Sequence, residues 1–309
     1  MLPVLESGEE TLIGGQAVME GVMMRAPHSY CVAVRKPNGE LTTEQCPVHR
    51  MSEKYPVFRW PVLRGLGTLG QAMTLGVKAL KFSANAALDE EGGKPVEISS
   101  WMMSISLAVN LAFFVFLYKF VPLFLATRLG AMFPALAGRT PTNFIDGGIR
   151  ILIFLAFLFL LSRMKDIRRV FEYHGAEHKV VFNYEAREPV TVENAQKFPT
   201  FHPRCGTNFL AVVLGISFLL YPLLPVDGFL PRFALRVALL PLIAGIAYEI
   251  IRFAAKRQGS LMGLLSKPGL WLQRITTKPP DDSQAAVAIH ALEGAMALEE
   301  KQGGELVIA

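Results

Sequence analysis

Four apolar stretches constrain this chain more than any other feature. They are "WMMSISLAVNLAFFVFLYKFVPLFLA" (101–126), "IRILIFLAFLFLLSR" (149–163), "FLAVVLGISFLLYPLLP" (209–225) and "FALRVALLPLIAGIAYEII" (233–251). A helix needs about 20 mostly apolar residues to cross a bilayer core, and only helices and closed barrels satisfy their own backbone there. The chain is therefore expected to be an α-helical polytopic membrane protein with about four transmembrane helices. Composition agrees: 51% of the residues are hydrophobic and 18% charged, against about 25% charged in soluble domains. The second stretch has a short uncharged core, and it qualifies as a span because Arg150 and Arg163 can extend toward the headgroups. Pro241 is expected to kink the fourth.

The basic residues orient these spans. Between the first and second, 127–148 holds Arg128 and Arg139, and between the third and fourth, 226–236 holds Arg232 and Arg236. Between the second and third, 163–208 holds eight: Arg163, Lys165, Arg168, Arg169, Lys179, Arg187, Lys197 and Arg204. Positively charged loops stay on the cytosolic side, so both termini and the central loop are expected there. Three regions follow: a small cytosolic α/β segment (1–100), a transmembrane region (101–251) with its cytosolic loop at 163–208, and cytosolic C-terminal amphipathic helices (252–309). The acidic opening "MLPVLESGEE" lacks a basic region ahead of an apolar core, so no cleaved signal is expected.

Within the first region, "SYCVAVRKPNGELTTEQCP" (29–47) alternates around Pro37, Asn38 and Gly39 and predicts a β-hairpin. Residues 60–88 are apolar with small residues and predict a helix packed on the membrane face or lying in the interface; a fifth span there would break the charge alternation. Near the C-terminus, "LMGLLSKPGLWLQRITT" has an interfacial pattern with Trp271 suited to the headgroup boundary. Prolines followed by Asp281 or Asp282 as N-cap then open a modest soluble helix. Cys31, Cys46 and Cys205 are too few to frame a disulfide scaffold and are expected as reduced thiols.

The candidate chemistry lies in the central loop. "VFEYHGAEHKVVFNYE" (170–185) spaces His174, Glu177 and His178 as H-x-x-E-H, the order of a zinc-peptidase motif. On a helix His174 and His178 sit one turn apart on one face, where two imidazoles can converge on one ion, and Glu177 can activate a bound water. Gly175 weakens that helix or admits a close backbone approach. A plain polar juxtamembrane helix would show the same residues. "FHPRCGTNF" (201–209) then offers His202 and Cys205, both good ligands for zinc or another divalent metal. The competing reading of Cys205 and Gly206 is a tight turn entering a membrane helix. Four ligands would make a closed structural site; three plus water would make a catalytic one.

Other charged residues carry weaker signals. Glu249 lies in the fourth span near Arg252, as an ion pair or a ligand, and Glu185 can share the His178 face. In "IGGQAVMEGVMMRAP" (13–27), Glu20 could be a ligand or base and Arg25 an anion clamp, or the segment is a strand and turn packed on the core. No phosphate-binding loop or dinucleotide fingerprint appears. The basic residues line membrane-facing loops, so anionic lipid headgroups are expected as partners and nucleic acid is not.

"GGQAVMEGVMMR", "EYHGAEHK", "HPRCGT" and "PGLWLQRITTKPPDD", in that order over roughly 11–298, resemble the YqhQ-like bacterial membrane proteins, a domain-of-unknown-function family. The resemblance implies a bacterial inner membrane and carries the label of a predicted metal-dependent enzyme, without a substrate. The matching positions are Gly14, Gly15, Gln16, Glu20, Gly21 and Arg25, then His174, Glu177 and His178, then His202, Arg204 and Cys205. It also places 13–27 beside the histidines. Asn183 stands where relatives often carry a cysteine, so a cysteine ligand there is not general.

The expected function is a metal-dependent hydrolase of a membrane-associated substrate, lipid-linked or peptide. His174 and His178 would bind the metal, His202 or Cys205 would complete the site, and Glu177 would be the base. The alternative is a non-enzymatic scaffold or biogenesis factor that binds another membrane protein around a structural metal. Transport is a weaker third class, because the spans offer little internal charge.

Overall fold

The computed structural model describes residues 13–49, 51–88, 99–256 and 261–301; the acidic start of the chain lies outside them. Four strands come first: β1 (Gly14–Val18), β2 (Gly21–Arg25), β3 (Ser29–Arg35) and β4 (Leu41–Pro47). They form an antiparallel meander in sequence order, with Met23 opposite Gln16 and Val32, and Cys31 opposite Met24 and Gln45. The 29–47 hairpin is β3–β4, turning at Gly39 with φ +88°. The 13–27 segment adds the β1–β2 hairpin.

The helices that follow are α1 (Met51–Lys54), α2 (Leu63–Ala87), α3 (Ser100–Val115), α4 (Val121–Met132), α5 (Arg139–Leu161) and α6 (Lys165–Glu185). Beyond them come α7 (Val192–Lys197), α8 (Gly206–Leu220), α9 (Phe229–Ala238), α10 (Leu240–Lys256), α11 (Leu261–Thr276) and α12 (Asp282–Lys301).

The sheet is covered on both faces, and the period-2 alternation of a strand decides which residue meets which cover. Cys31 and Ala33 of β3, with Val22 and Met24 of β2, pack against α6 and α12. Tyr30, Val32 and Val34, with Val18 and Met23, face Leu75, Ala79 and Ala86 of α2. Two-sided burial explains why β3 reads "SYCVAV" without a polar face. The edge strand β4, by contrast, alternates exposed and half-buried residues along its length.

Helix α12 contributes more than a modest soluble helix would. Ala285, Val287, Ala288, Ala291, Leu292 and Ala295 are all buried against the sheet and α6. Asp281 is its cap: Oδ1 accepts the Gln284 N–H at 2.8 Å. At the other end Glu299 accepts the His28 N–H at 2.9 Å and the Ser29 hydroxyl at 2.8 Å. The first and last parts of the chain thus form one layer.

Three helical runs are long and apolar enough to cross a membrane: Ser104–Met132, Arg139–Leu161 and Gly206–Leu223. Phe229–Ala238 and Leu240–Ala254 make a fourth if counted as one span bent by 45°. The break falls at Leu239, two residues before Pro241, whose ring and missing N–H prevent a straight continuation. Only 17%, 22% and 33% of the three windows are buried, so their apolar surface faces outward, as a bilayer requires. Together they support a multi-pass membrane protein.

The second span differs from the sequence expectation. It runs 23 residues from Arg139 rather than starting near 149, so its length needs no help from snorkelling. Arg150 does not reach an interface. It is 2% exposed and pairs with Asp146 one turn away, which is fully buried. An arginine with a carboxylate at i−4 is held inside rather than drawn to the headgroups. Arg163 lies over the Phe159 ring at 4.7 Å.

Candidate metal centre

The His motif lies on α6, which is helical throughout 165–185. Its Gly175 has a specific use: a Cβ there would overlap the Lys278 carbonyl oxygen. That contact lets the chain between α11 and α12 cross α6 directly, with Lys278 N–H donating to the Phe171 carbonyl at 2.9 Å. Helix geometry sets the two imidazoles edge to face with ring centroids 4.5 Å apart.

Cys205 reaches them from the other side. It is the N-cap of α8, its Sγ accepting the Thr207 N–H at 3.4 Å, and it lies 3.2 Å from His174 Nε2. The two readings of the Cys205–Gly206 turn are compatible. The cysteine caps a candidate membrane helix and joins the histidines. One nitrogen each from His174 and His178 and the Cys205 sulfur all lie within 4.8 Å of one another. Tetrahedral zinc would place such atoms roughly 3.3–3.8 Å apart, close to the 3.2 Å between Cys205 Sγ and His174 Nε2.

The ring tautomers suit a cation. His174 Nδ1 faces the Thr276 carbonyl at 2.8 Å, and His178 Nδ1 faces the Thr200 carbonyl at 2.5 Å. A carbonyl only accepts, so each Nδ1 carries a proton, and with His174 in its neutral form each Nε2 presents a lone pair. His178 Nε2 is buried without a hydrogen-bond partner, an arrangement that costs free energy unless something binds there. Glu177 is also close, its Oε2 3.6 Å from His178 Nε2 and 3.9 Å from His174 Nε2. Gly15 of β1 makes room for it: a Cβ there would sit 2.5 Å from Glu177 Cγ. The N-terminal glycine motif does pack beside the histidines.

Electrostatics reinforce the cluster. Burial pushes the Cys205 thiol up, but the charges and hydrogen bonds of His174 and His178 outweigh it and hold the thiol well below its usual range. The α8 N-terminus favours the thiolate further. Burial pushes His174 down, yet Cys205 and then Glu177 carry it up to about 9. Access is one-sided: the His174 side chain is 19% exposed, against 2% for His178 and 4% for Glu177.

His202 sits next door with a different job. Its Nδ1 accepts the Arg204 N–H at 3.3 Å, so the proton is on Nε2, which lies 3.5 Å from Glu185. Its ring packs on Phe182 at 4.4 Å, and burial followed by the His178 charge lowers it to about 4. Arg204 pairs with Glu185. The buried Gln273 amide clamps the His202 backbone, donating to its carbonyl at 2.8 Å and accepting its N–H at 2.7 Å. Lys179 fixes the same loop through the Gln196 and Phe198 carbonyls, both at 2.7 Å.

The remaining candidates are engaged elsewhere. Glu20, at φ +51° in the β1–β2 turn, forms a two-pronged pair with Arg169 and accepts from the Tyr173 hydroxyl at 3.3 Å. Arg25 donates to Gln71 at 2.8 Å. Glu249 pairs with Arg64 of α2 and accepts the Val62 N–H at 3.2 Å. Asn183 donates to the Glu188 and Pro189 carbonyls. Cys31, Cys46 and Cys205 are all free thiols. The orienting groups Gln273, Thr200 and Thr276 were not legible as site residues. Two of them act through backbone carbonyls, which any residue type supplies.

Residues 60–298 match the model of a family described as "Protein of unknown function (DUF1385)". The chain is 36% identical over 297 residues to the "Uncharacterized protein YqhQ" of Bacillus subtilis (strain 168), covering 93% of this chain and 92% of that one. No solved structure matches.

Proposed function

Since the chain belongs to the DUF1385 family, whose description assigns no activity, we propose a function from the site itself: a metal-dependent enzyme of the membrane surface, with zinc held by His174, His178 and Cys205. The observation that carries this reading is the pair of Nε2 lone pairs, each fixed by a backbone carbonyl on Nδ1, converging with one thiol. Two imidazoles and a thiolate are the donor set of a zinc site that keeps a fourth position open. A bound zinc supplies Lewis acidity and lowers the pKa of water.

Glu177 then acts as general base, taking the proton of the attacking water. The Thr200 and Thr276 carbonyls hold the imidazoles in place. Arg204 and Glu185 close the flank beside His202, whose Nε2 proton makes it a donor rather than a ligand. The substrate we favour is an ester or amide carried on a lipid-linked or peptide molecule in the bilayer. Cys205 immediately precedes the apolar helix α8, and Phe201 and Trp271 are 41% and 54% exposed. Aromatic residues of this kind favour the headgroup level. The basic residues around Arg168 on α6 support a cytosolic location for this end, facing anionic headgroups.

A second reading has one observation in its favour. Glu177 is nearly buried and within 4 Å of both Nε2 atoms, so it could itself fill the fourth position. The site would then be structural, and the protein a scaffold for another membrane protein. Glu177→Gln separates the two. The enzyme reading expects full zinc content in that variant and no turnover of ester or peptide substrates. Loss of zinc would move Glu177 into the ligand shell and remove the base.

A further inference from the structure

A second buried polar group lies at the opposite end of α8. Tyr221 follows Cys205 by sixteen residues along the helix, roughly 24 Å by helical rise. Around its ring lie Lys119 Nζ at 5.0 Å, Arg150 Cζ at 4.9 Å and Arg236 Cζ at 5.0 Å. All three cations are at least nine-tenths buried. Among the described residues, Asp146 is the one carboxylate paired with them, shared between Arg150 and Arg236. The two guanidiniums alone outnumber the one carboxylate, so positive charge is left uncompensated between apolar helices.

The backbone is adapted to this arrangement. A π-helical turn at Phe116–Phe120 interrupts the first span at Lys119. Such a turn releases a carbonyl from the helix ladder, and Tyr118 O accepts from Arg150 Nε at 3.1 Å. Lys119 donates to the Tyr221 hydroxyl at 2.8 Å, which is neutral and offsets no charge. Arg236 donates to Asn143 Oδ1 at 2.6 Å. Its Nη1, 2.9 Å from Asp146 Oδ1, lies off hydrogen-bond alignment, so that donor is buried and unsatisfied in direction.

A narrow cleft with room for about one water-sized group reaches this cluster from the far end, lined by Asn143, Tyr221, Arg232 and Arg236 and by the apolar Leu224 and Leu235; Arg232 also donates to the Val226 carbonyl at 2.9 Å and pairs with Asp227 at 3.1 Å. Uncompensated buried charge is costly and marks functional positions within membrane helices. Basic clefts between spans, part apolar and part guanidinium, suit a phosphate group carried on a lipid. We infer that this cleft is an anion site that takes one oxygen of a phosphate held at its mouth, with Arg232 and its Asp227 partner at the rim and Arg236 at the floor. The apolar wall beside the guanidiniums favours an anionic phospholipid as the source. This site is independent of the metal centre.

The full-length protein in nanodiscs tests it. One set contains phosphatidylcholine alone, a second adds phosphatidylglycerol, and a third is phosphatidylcholine with inorganic phosphate in the buffer. Lipid retained after detergent exchange is counted by native mass spectrometry, and unfolding is followed by circular dichroism. Wild type should retain phosphatidylglycerol and unfold at higher temperature with it. Arg232→Gln, at a part-exposed position, should keep its helix content and lose about tenfold in retention, as expected for one charge-assisted contact. Arg236→Gln should lose more. Glu20→Gln, in the β1–β2 turn at the other end, should match wild type.

Stabilisation by inorganic phosphate in the neutral nanodiscs would keep the oxyanion site and assign it a free anion. Equal phosphatidylglycerol retention by wild type, Arg232→Gln and Arg236→Gln, with no effect of phosphate, would overturn the inference.

Discussion

The two ends of α8 carry buried polar groups built on opposite principles. At Cys205 the donors are lone pairs, and each histidine proton is turned outward onto a carbonyl. At Tyr221 the groups are cations clustered around one carboxylate and one aromatic face. The first end has a deficit of positive charge that an ion such as zinc would fill; the second has an excess. Burial alone does not make a site; the sign of what is left unmatched says which ligand chemistry fits.

Substitutions can break this contrast, beginning with the largest effect. Cys205→Ser or His178→Ala should reduce zinc from about one per chain to near zero, measured by elemental analysis of purified protein, because a site of three protein ligands tolerates no loss. Asp146→Asn at the other end should leave zinc bound while destabilising the protein by about 3–5 kcal/mol, the usual cost of breaking a buried ion pair by removing one partner. Thermal unfolding in detergent checks this, and a co-loss of zinc would mean that the two ends are not separable. Gly175→Val should cost about 1–3 kcal/mol by forcing the Lys278 carbonyl away from α6, and should weaken zinc binding as Thr276 moves with it. Glu20→Gln, removing a largely exposed pair with Arg169, should cost at most about 1 kcal/mol and leave both ends intact.

Proton release sharpens the metal end. His174 is raised to about 9, so at pH 7 the metal-free site holds an imidazolium beside the Cys205 thiolate. Zinc needs the neutral ring, and binding at pH 7 should expel about one proton from His174. As pH rises through 9 the proton is already gone and release should fall toward zero. Affinity should climb about tenfold per pH unit below 9 and then level. Calorimetry in buffers of different ionisation enthalpy measures the release; a constant release from pH 7 to 10 would contradict the assignment.

The same contrast explains what could be read from sequence. His174, Glu177 and His178 lie within one turn of one helix, so their spacing alone reports shared geometry. Cys205 is distant in sequence, but its place ahead of an apolar stretch suggested that it returns to the same membrane face. The Tyr221 group is scattered over four elements, one or two residues to each, inside stretches dominated by apolar side chains. Arg150 looked like a snorkelling flank only because the span was read as beginning at 149. The meander lies between α2 and α12, a partnership between the first and last parts of the chain that no local pattern encodes.

His202 marks the finer boundary. Its spacing with Cys205 made it an equal candidate, but a backbone N–H from Arg204 fills its Nδ1, and its buried Nε2, without a hydrogen-bond partner, lies 3.5 Å from Glu185 and outside the His174–His178–Cys205 cluster. Membership of the cluster differs here by which ring nitrogen is held, which residue type does not report.

The measurement that tests the central claim most directly is zinc-edge X-ray absorption on the purified wild type and on Cys205→Ser. Two nitrogen scatterers at about 2.0 Å and one sulfur at about 2.3 Å in the wild type, with the sulfur shell gone or the metal lost in the variant, is the predicted result. Zinc bound without a sulfur shell, or wild-type protein that takes up no metal, would contradict it.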